Sequence, residues 1–170
     1  MNQVEPWLRG TLTDLPVVQR AVLHALDLAQ EDLTHWCGSL KDEQINSQPA
    51  GLPSVAFHIR HIARSIDRLL TYAEGKSLTA EQLSNLHTES SSGITRQVLF
   101  DELALALNDA SSRIRSFAAD SLSQPRTVGR KLMPTTVGGL LIHVAEHSLR
   151  HVGQAITTAK IVAAKDHRVQ

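Results

Sequence analysis

Three histidines lie four residues apart in the stretch HVAEHSLRH, at His143, His147 and His151, in a chain with nine histidines among 170 residues. On a helix, side chains at this spacing share a face, and each step climbs about 6 Å. Two such imidazoles can converge on one divalent ion, but the outer two of the row are about 12 Å apart along the axis. The row therefore indicates a metal or acid–base site completed from another helix, or else a polar packing seam.

A second stretch, FHIRHIARS, could supply the missing ligand, because it places His58 and His61 one turn apart among Ile59 and Ile62. The apolar neighbours turn this face toward a core. One histidine from here and two from the row would make a three-nitrogen site with open positions, the general form of a catalytic metal site. Burial of several imidazoles without partners is costly, and a shared ion would satisfy several at once. The spacing favours metal binding and leaves the choice of ligands open.

Three other kinds of site, namely a zinc protease, a di-iron centre and a cysteine nucleophile, fit the sequence poorly. HVAEH has the H-x-x-E-H form of inverted zinc proteases, which need a further acidic ligand downstream, and only Asp166 follows Glu146 as an acidic residue. The chain has no Glu-x-x-His, which argues against a carboxylate-bridged di-iron bundle. Cys37 is the single cysteine and has no spacing that links it to a histidine, so we expect a packed thiol.

The elements that must position these residues are helices. Four long segments show the three-and-four spacing of apolar residues that is typical of amphipathic helices, and no segment alternates convincingly as a strand. In the longest connection, Thr79 and Gln82 have capping-box spacing and predict a short extra helix. The pattern predicts an all-α fold, an up-down four-helix bundle with a longer connection between helices 2 and 3, in a single domain over residues 1–170. The four helices are predicted at residues 15–36, 54–74, 95–121 and 136–163.

The composition excludes several classes of partner. Lys and Arg (17) balance Asp and Glu (17), so there is no basic excess to neutralise the phosphates of nucleic acid or of an anionic membrane. No run approaches the roughly 18 apolar residues of a membrane span, and the first residues do not have the pattern of a secretion signal. A single cysteine rules out an intramolecular disulfide and fits a reducing compartment. We expect a soluble cytoplasmic protein with no nucleic-acid or membrane partner.

Two segments, SVAFHIRHIARSIDRLLTYAEG and LLIHVAEHSLRHVGQAI, resemble the DinB-like four-helix-bundle proteins, a group that includes the YfiT-like and bacillithiol-transferase-like metalloproteins. The more specific part of the resemblance is the H-x-x-x-H-x-G-Q run that begins at His147. In that family the metal is held by one histidine of the second helix and two, four apart, of the fourth. The resemblance therefore implies His61, His147 and His151 as ligands. His58 and His143 then become neighbours of the ligands or lie along the pocket.

The resemblance also implies a bound zinc or nickel ion, a homodimer formed through bundle faces and, in some relatives, an activity that depends on a low-molecular-weight thiol. An open divalent site lowers the pKa of a bound thiol or water and so creates a nucleophile at neutral pH. The expected function is a metal-dependent transferase or hydrolase that activates a small thiol or water. The competing interpretation is a non-catalytic helical bundle that binds metal or dimerises in a structural, sensing or stress-related role.

Overall fold

The computed structural model describes residues 4–166, except for the side chains of residues 165 and 166. The chain is predominantly helical and has one two-stranded sheet in this range, which confirms the all-α class. No helix among the described residues is long and apolar enough to cross a membrane. The elements are α1 (Val17–Cys37), α2 (Asp42–Asn46), α3 (Val55–Ala73), α4 (Ala80–His87), α5 (Arg96–Ser116), β1 (Pro125–Val128), β2 (Met133–Thr136) and α6 (Val137–Asp166), with short 3-10 turns at Pro6–Leu8, Pro49–Gly51 and Ala119–Ser121.

The four long helices, α1, α3, α5 and α6, enclose one apolar core. On α3, the side chains of Ile59, Ile62, Ile66 and Leu70 are fully buried, and their spacing of three and four places them on one face. Ser54 caps the start of this helix, because its hydroxyl accepts a hydrogen bond from the third backbone N–H that follows. α6 packs against both α1 and α3, and α3 also packs against α5. The predicted four-helix bundle is therefore confirmed.

Helix direction does not alternate between the second and third long helices. The ion pairs Arg64–Glu102 and Asp67–Arg113 join α3 to α5 with residue numbers that rise together, so the two helices run parallel. Parallel neighbours cannot be joined by a tight turn, and the chain crosses from one end of the pair to the other through residues 74–95. This crossover is the longer connection that the sequence predicts, and it refines the simple up-down expectation.

A short helix inside the crossover begins where the sequence predicts it. The Thr79 hydroxyl accepts a hydrogen bond from the N–H of Gln82, and the Gln82 side-chain oxygen accepts one from the N–H of Thr79. The amide group of Gln82 also donates to Asp67 and Thr71 of α3. Gln82 thus fastens α4 to α3 of the bundle.

An arginine row on α3, defined as Arg60, Arg64 and Arg68, holds the end of the crossover. These residues are four apart and share one face of the helix. Arg60 donates to the backbone carbonyl of Thr88 and Arg64 to the Thr88 hydroxyl, at 2.9 and 2.7 Å. Arg68 donates to the Glu89 carboxylate at 2.6 Å. The row therefore fixes residues 88 and 89 beside the middle of α3.

A β-hairpin precedes α6, where the sequence predicts a loop without strands. β1 and β2 pair antiparallel, with Val128 opposite Met133. The prediction is wrong here because each strand has only four residues, includes a proline and has no buried face, so no apolar alternation marks it. Nε of Arg126 donates to the carbonyl of Ala73 at 2.7 Å, which attaches the hairpin to the end of α3.

Candidate metal centre

Three histidines from two helices converge between α3 and α6. His61, His147 and His151 each offer one nitrogen, and these atoms lie within 4.8 Å of one another. Nε2 of His61 is 2.9 Å from Nε2 of His147, and the ring centre of His151 is 4.4 Å from that of His61. Zinc–imidazole bonds are about 2.0 to 2.1 Å long, so small side-chain rotations would place the three nitrogens around one ion.

The apolar stripe of α6 sets the direction of its histidines. Leu141 and Val144 are fully buried and Val152 is almost so, which turns this face of the helix toward the core. His147 and His151 lie at the edge of the stripe and are half-buried. The contacts His61–His147 and His58–His151 show that α6 runs antiparallel to α3, and they place both α6 histidines against the first half of α3.

A carboxylate from the crossover orients His61. Oε2 of Glu89 is 2.7 Å from Nδ1 of His61, and its other oxygen accepts from Arg68. Burial raises the pKa of Glu89, but the hydrogen bonds from His61 and Arg68 outweigh burial and leave that pKa below its ordinary value. An ionised carboxylate only accepts, so the hydrogen-bond pattern assigns a proton to Nδ1 of His61. With Nδ1 turned to the carboxylate, Nε2 of His61 faces His147, which is the arrangement seen in carboxylate–histidine–metal sites.

His58 supports His151 from within the core. It is buried, and its Nδ1 lies 3.1 Å from Nδ1 of His151. Burial, and secondarily the neighbouring imidazoles of His151 and His61, lower the pKa of His58 to about 4. His58 is therefore neutral at pH 7, and one member of the pair donates to the other. If Nδ1 of His151 is the donor, its Nε2 keeps a free lone pair.

The protonation state of the α6 histidines suits a metal. Burial is the main cause that lowers the pKa of His147 and of His151 to about 4, and neighbouring imidazoles add to it. Both rings are therefore neutral at pH 7, and neutral imidazole is the form that binds metal ions. The donor set, its protonation state and the oriented tautomer of His61 all fit a divalent ion.

His143 lies outside the group of three. Its side chain is 43% exposed, and its ring centre is 5.4 Å from that of His147. Glu146 is 52% exposed and accepts a hydrogen bond from Arg150 on the solvent side. The acidic position of the H-x-x-E-H pattern, Glu146, thus points away from the three histidines, as helix geometry predicts.

Two cavities open on either side of the three histidines. The first, named the His151 cavity, has a volume of about 530 Å³ and includes Phe57, His58 and His151 in its lining. The second, named the His147 cavity, has a volume of about 270 Å³ and is lined in part by His61, His143 and His147. These volumes are on the scale of small-molecule sites. A small molecule can therefore approach the histidines from two directions.

A family model described as the DinB superfamily matches residues 25–155, which is most of the chain. The chain belongs to the DinB superfamily. The resemblance inferred from the two histidine segments is thereby confirmed.

A crystal structure of a conserved protein from Enterococcus faecalis is similar to this DinB-superfamily chain, with a TM-score of 0.72 and 22% identity. The similarity covers 88% of this chain and 99% of that chain, and at this identity it shows the fold alone. A comparison with curated proteins found no match.

Sequence reasoning missed one residue of this DinB-superfamily site. It selected His61, His147 and His151, which the structure brings together, and it placed His58 and His143 beside them. It did not find Glu89. The available signal was the general rule that a metal-bound histidine donates its other N–H to a carboxylate, but no spacing connected residue 89 to residue 61.

Cys37 has no part in the site. It is fully buried at the end of α1, and burial raises the pKa of its thiol to about 12. A thiol with this pKa is protonated at neutral pH and is neither a ready nucleophile nor a metal ligand. This environment agrees with the packed thiol that the sequence predicts.

Proposed function

We propose that His61, His147 and His151 bind one divalent ion, zinc or nickel, and that the protein is a metal-dependent transferase or hydrolase acting through a small thiol or water. The observation that supports this most is the convergence of three imidazoles beside open cavities, with His61 oriented by Glu89. A structural zinc site is usually closed by four protein ligands, whereas a catalytic one keeps a position for substrate.

The chain's own residues would prepare the reactants. Glu89 holds the proton on Nδ1 of His61, and His58 holds the ring of His151. The ring of Phe57 stacks on His61 with centres 5.4 Å apart, which gives the His151 cavity an apolar wall. A divalent ion in this site supplies a Lewis acid that lowers the pKa of a bound thiol or water. The apolar wall suits the carbon skeleton of an electrophilic substrate.

The first experiment is the metal content of untagged protein purified without chelator, measured by elemental mass spectrometry. Wild type should contain close to one equivalent of a divalent metal, and His147→Ala should contain less than about a tenth of that because a three-ligand site loses a ligand. His143→Ala is the matched control on the same helix and should keep its metal. Absence of metal in wild type, even after titration, would remove the basis of the proposal.

Thiol binding separates catalysis from mere metal storage. Protein loaded with cobalt(II) in place of the native ion should develop a sulfur-to-metal absorption band when 2-mercaptoethanol is added, because the site has a free position. A spectrum that does not change with thiol or with other small ligands would show a closed coordination sphere. That result would contradict the proposed enzymatic function.

One observation favours the second candidate, a non-catalytic metal-binding bundle in a structural, sensing or stress-related role. The Glu89 carboxylate is occupied by His61 and Arg68, and its low pKa leaves it without a proton to give. It is therefore a poor general acid. In this alternative, removal of the metal would lower the thermal unfolding midpoint, while no transfer or hydrolysis would be detected with any substrate.

The homodimer is a separate proposal. Trp7 and Leu8 near the start of the described chain are 61% and 56% exposed, so they do not cap the core of a single chain. Large exposed apolar side chains of this kind are common at interfaces. Analytical ultracentrifugation of wild type and of Trp7→Ser would test it, with a dimer expected for wild type and a weakened one for the variant.

A further inference from the structure

A third cavity lies between the end of α3 and the β-hairpin. This hairpin cavity has a volume of about 590 Å³. Three of its lining residues, Lys76, Arg126 and Arg130, are cationic, and no aspartate or glutamate is among the lining residues. Lys76 pairs at 2.9 Å with Glu74, which is outside the lining, and the two arginines have no such partner among the described residues. The cavity is thus positive in a chain whose formal net charge is zero.

Arg126 carries a charge that no carboxylate balances within residues 4–166. Its three hydrogen bonds go to neutral acceptors, namely the carbonyls of Ala73 and Pro125 and the side-chain oxygen of Gln124. A guanidinium has five N–H donors, so two remain for a ligand. Because three contacts already fix this half-buried side chain, it would lose little freedom when it bound an anion.

Arg130 is free to move toward a ligand. It follows Gly129, whose φ of 71° turns the hairpin, and within the described part of the chain no hydrogen bond or ion pair holds it. Arginine binds carboxylates and phosphates through two parallel N–H bonds. An anchored arginine and a free one in the same cavity provide donors on two sides of a small anion.

The hairpin cavity adjoins the His147 cavity. Tyr72 and Leu78 contribute to the lining of both. A single elongated molecule could therefore reach from His61 and His147, past Tyr72, to the cationic side chains at the hairpin.

We propose that the hairpin cavity binds the anionic group, a carboxylate or a phosphate, of the small molecule on which the metal centre acts. The link to the metal centre rests on the function proposed above, whereas anion binding by the cavity does not. The substrate class is accordingly an elongated small molecule with an anionic end and a thiol or electrophilic group at the other end.

The cavity is tested by nuclear magnetic resonance on ¹⁵N-labelled, metal-free protein titrated with sodium phosphate and with disodium succinate. Sodium chloride at the same ionic strength is the control for screening. The amides of Gly75 and Gly129 and the Nε–H of Arg130 should shift and saturate with phosphate or succinate but not with chloride. The anion that binds more tightly identifies the group, phosphate or carboxylate. Equal shifts with chloride would overturn the inference.

A matched pair of variants separates the cavity from general surface charge. Arg130→Gln should raise the dissociation constant by about threefold to tenfold, the range for one exposed charge-assisted contact. Lys131→Gln removes the same charge from the same hairpin, but Lys131 is outside the lining, and binding should be unchanged. Both side chains are exposed, so the fold is not at risk. Equal weakening by the two variants would overturn the inference.

Two further measurements distinguish this inference from the metal proposal. His147→Ala should lose its metal and still bind the anion. In cobalt-loaded wild type, a thiol with free carboxylates, glutathione, should bind more tightly than its diethyl ester, and Arg130→Gln should reduce this preference. Equal binding of acid and ester by the wild type would break the link between the cavity and the metal centre, even if the metal site itself is real.

Discussion

His58 and His61 lie one turn apart on α3 and differ in what holds them. Nδ1 of His61 meets an ionised carboxylate, whereas Nδ1 of His58 meets the imidazole of His151. The carboxylate fixes a proton on one nitrogen of His61 and directs the lone pair of the other toward His147. His58 is more deeply buried and has no anionic partner within the part of the chain that the structure describes. Two histidines of similar apolar context thus acquire different roles from partners on other elements.

The largest expected effect is that of removing the charge of Glu89, the anionic partner of His61 in this comparison. Glu89→Gln should lower metal affinity by about tenfold to a hundredfold, as is typical when the carboxylate behind a histidine ligand is removed. Competition with a chromophoric chelator measures the change. Glu102→Gln is the matched control, because Glu102 of α5 pairs with Arg64 of α3 and contacts no histidine among the described residues.

An unchanged affinity in Glu89→Gln would show that the orientation of His61 does not depend on the carboxylate. The ionised partner of His61 would then matter no more for metal binding than the neutral partner of His58. Equal losses in the Glu89 and Glu102 variants would instead point to a general weakening of the bundle.

The neutral side of the comparison predicts a pH dependence of stability in metal-free protein. The folded-state pKa of His58 is about 4, and its ordinary value is 6.5. Between these values the unfolded chain binds more protons, so the free energy of unfolding falls as pH falls from about 6.5 toward 4. His58→Gln should reduce this slope by up to about 1.4 kcal/mol per pH unit. Urea unfolding between pH 7 and pH 4.5 measures both slopes, and identical slopes would contradict the assignment.

The smallest effect is expected at the histidine that belongs to neither side. His143→Ala should change metal affinity by less than about twofold, because the exposed ring contacts His147 without entering the group of three. The same chelator competition measures it. A loss comparable to that of Glu89→Gln would place His143 among the ligands and exchange its role with that of His151.

Regular spacing is what made part of this structure predictable. Four-residue spacing on α6 and apolar periodicity on α3 place the histidines on facing sides of two helices, and a capping box predicts α4. Both are properties of consecutive residues on one element, so they can be read without knowledge of the tertiary fold.

The features that the sequence does not predict depend on contacts between distant segments. Glu89 reaches His61 across 28 positions, and its connection is rich in serine, which is typical of an unstructured segment. The hairpin, too, has no periodic signal and is held by the contact between Arg126 and the end of α3. Such contacts can be predicted only when the parallel arrangement of α3 and α5 is known.

The arginine row has a consequence for local opening of the chain. It holds residues 88 and 89 through hydrogen bonds near the surface and an ion pair, whereas the helices are held by a dry apolar core, so the crossover can open at a lower free energy than the bundle. Each opening would withdraw Glu89 from His61 while all three imidazoles stayed in place. Hydrogen exchange at residues 85–91 would therefore report how much of the time the metal centre is fully assembled.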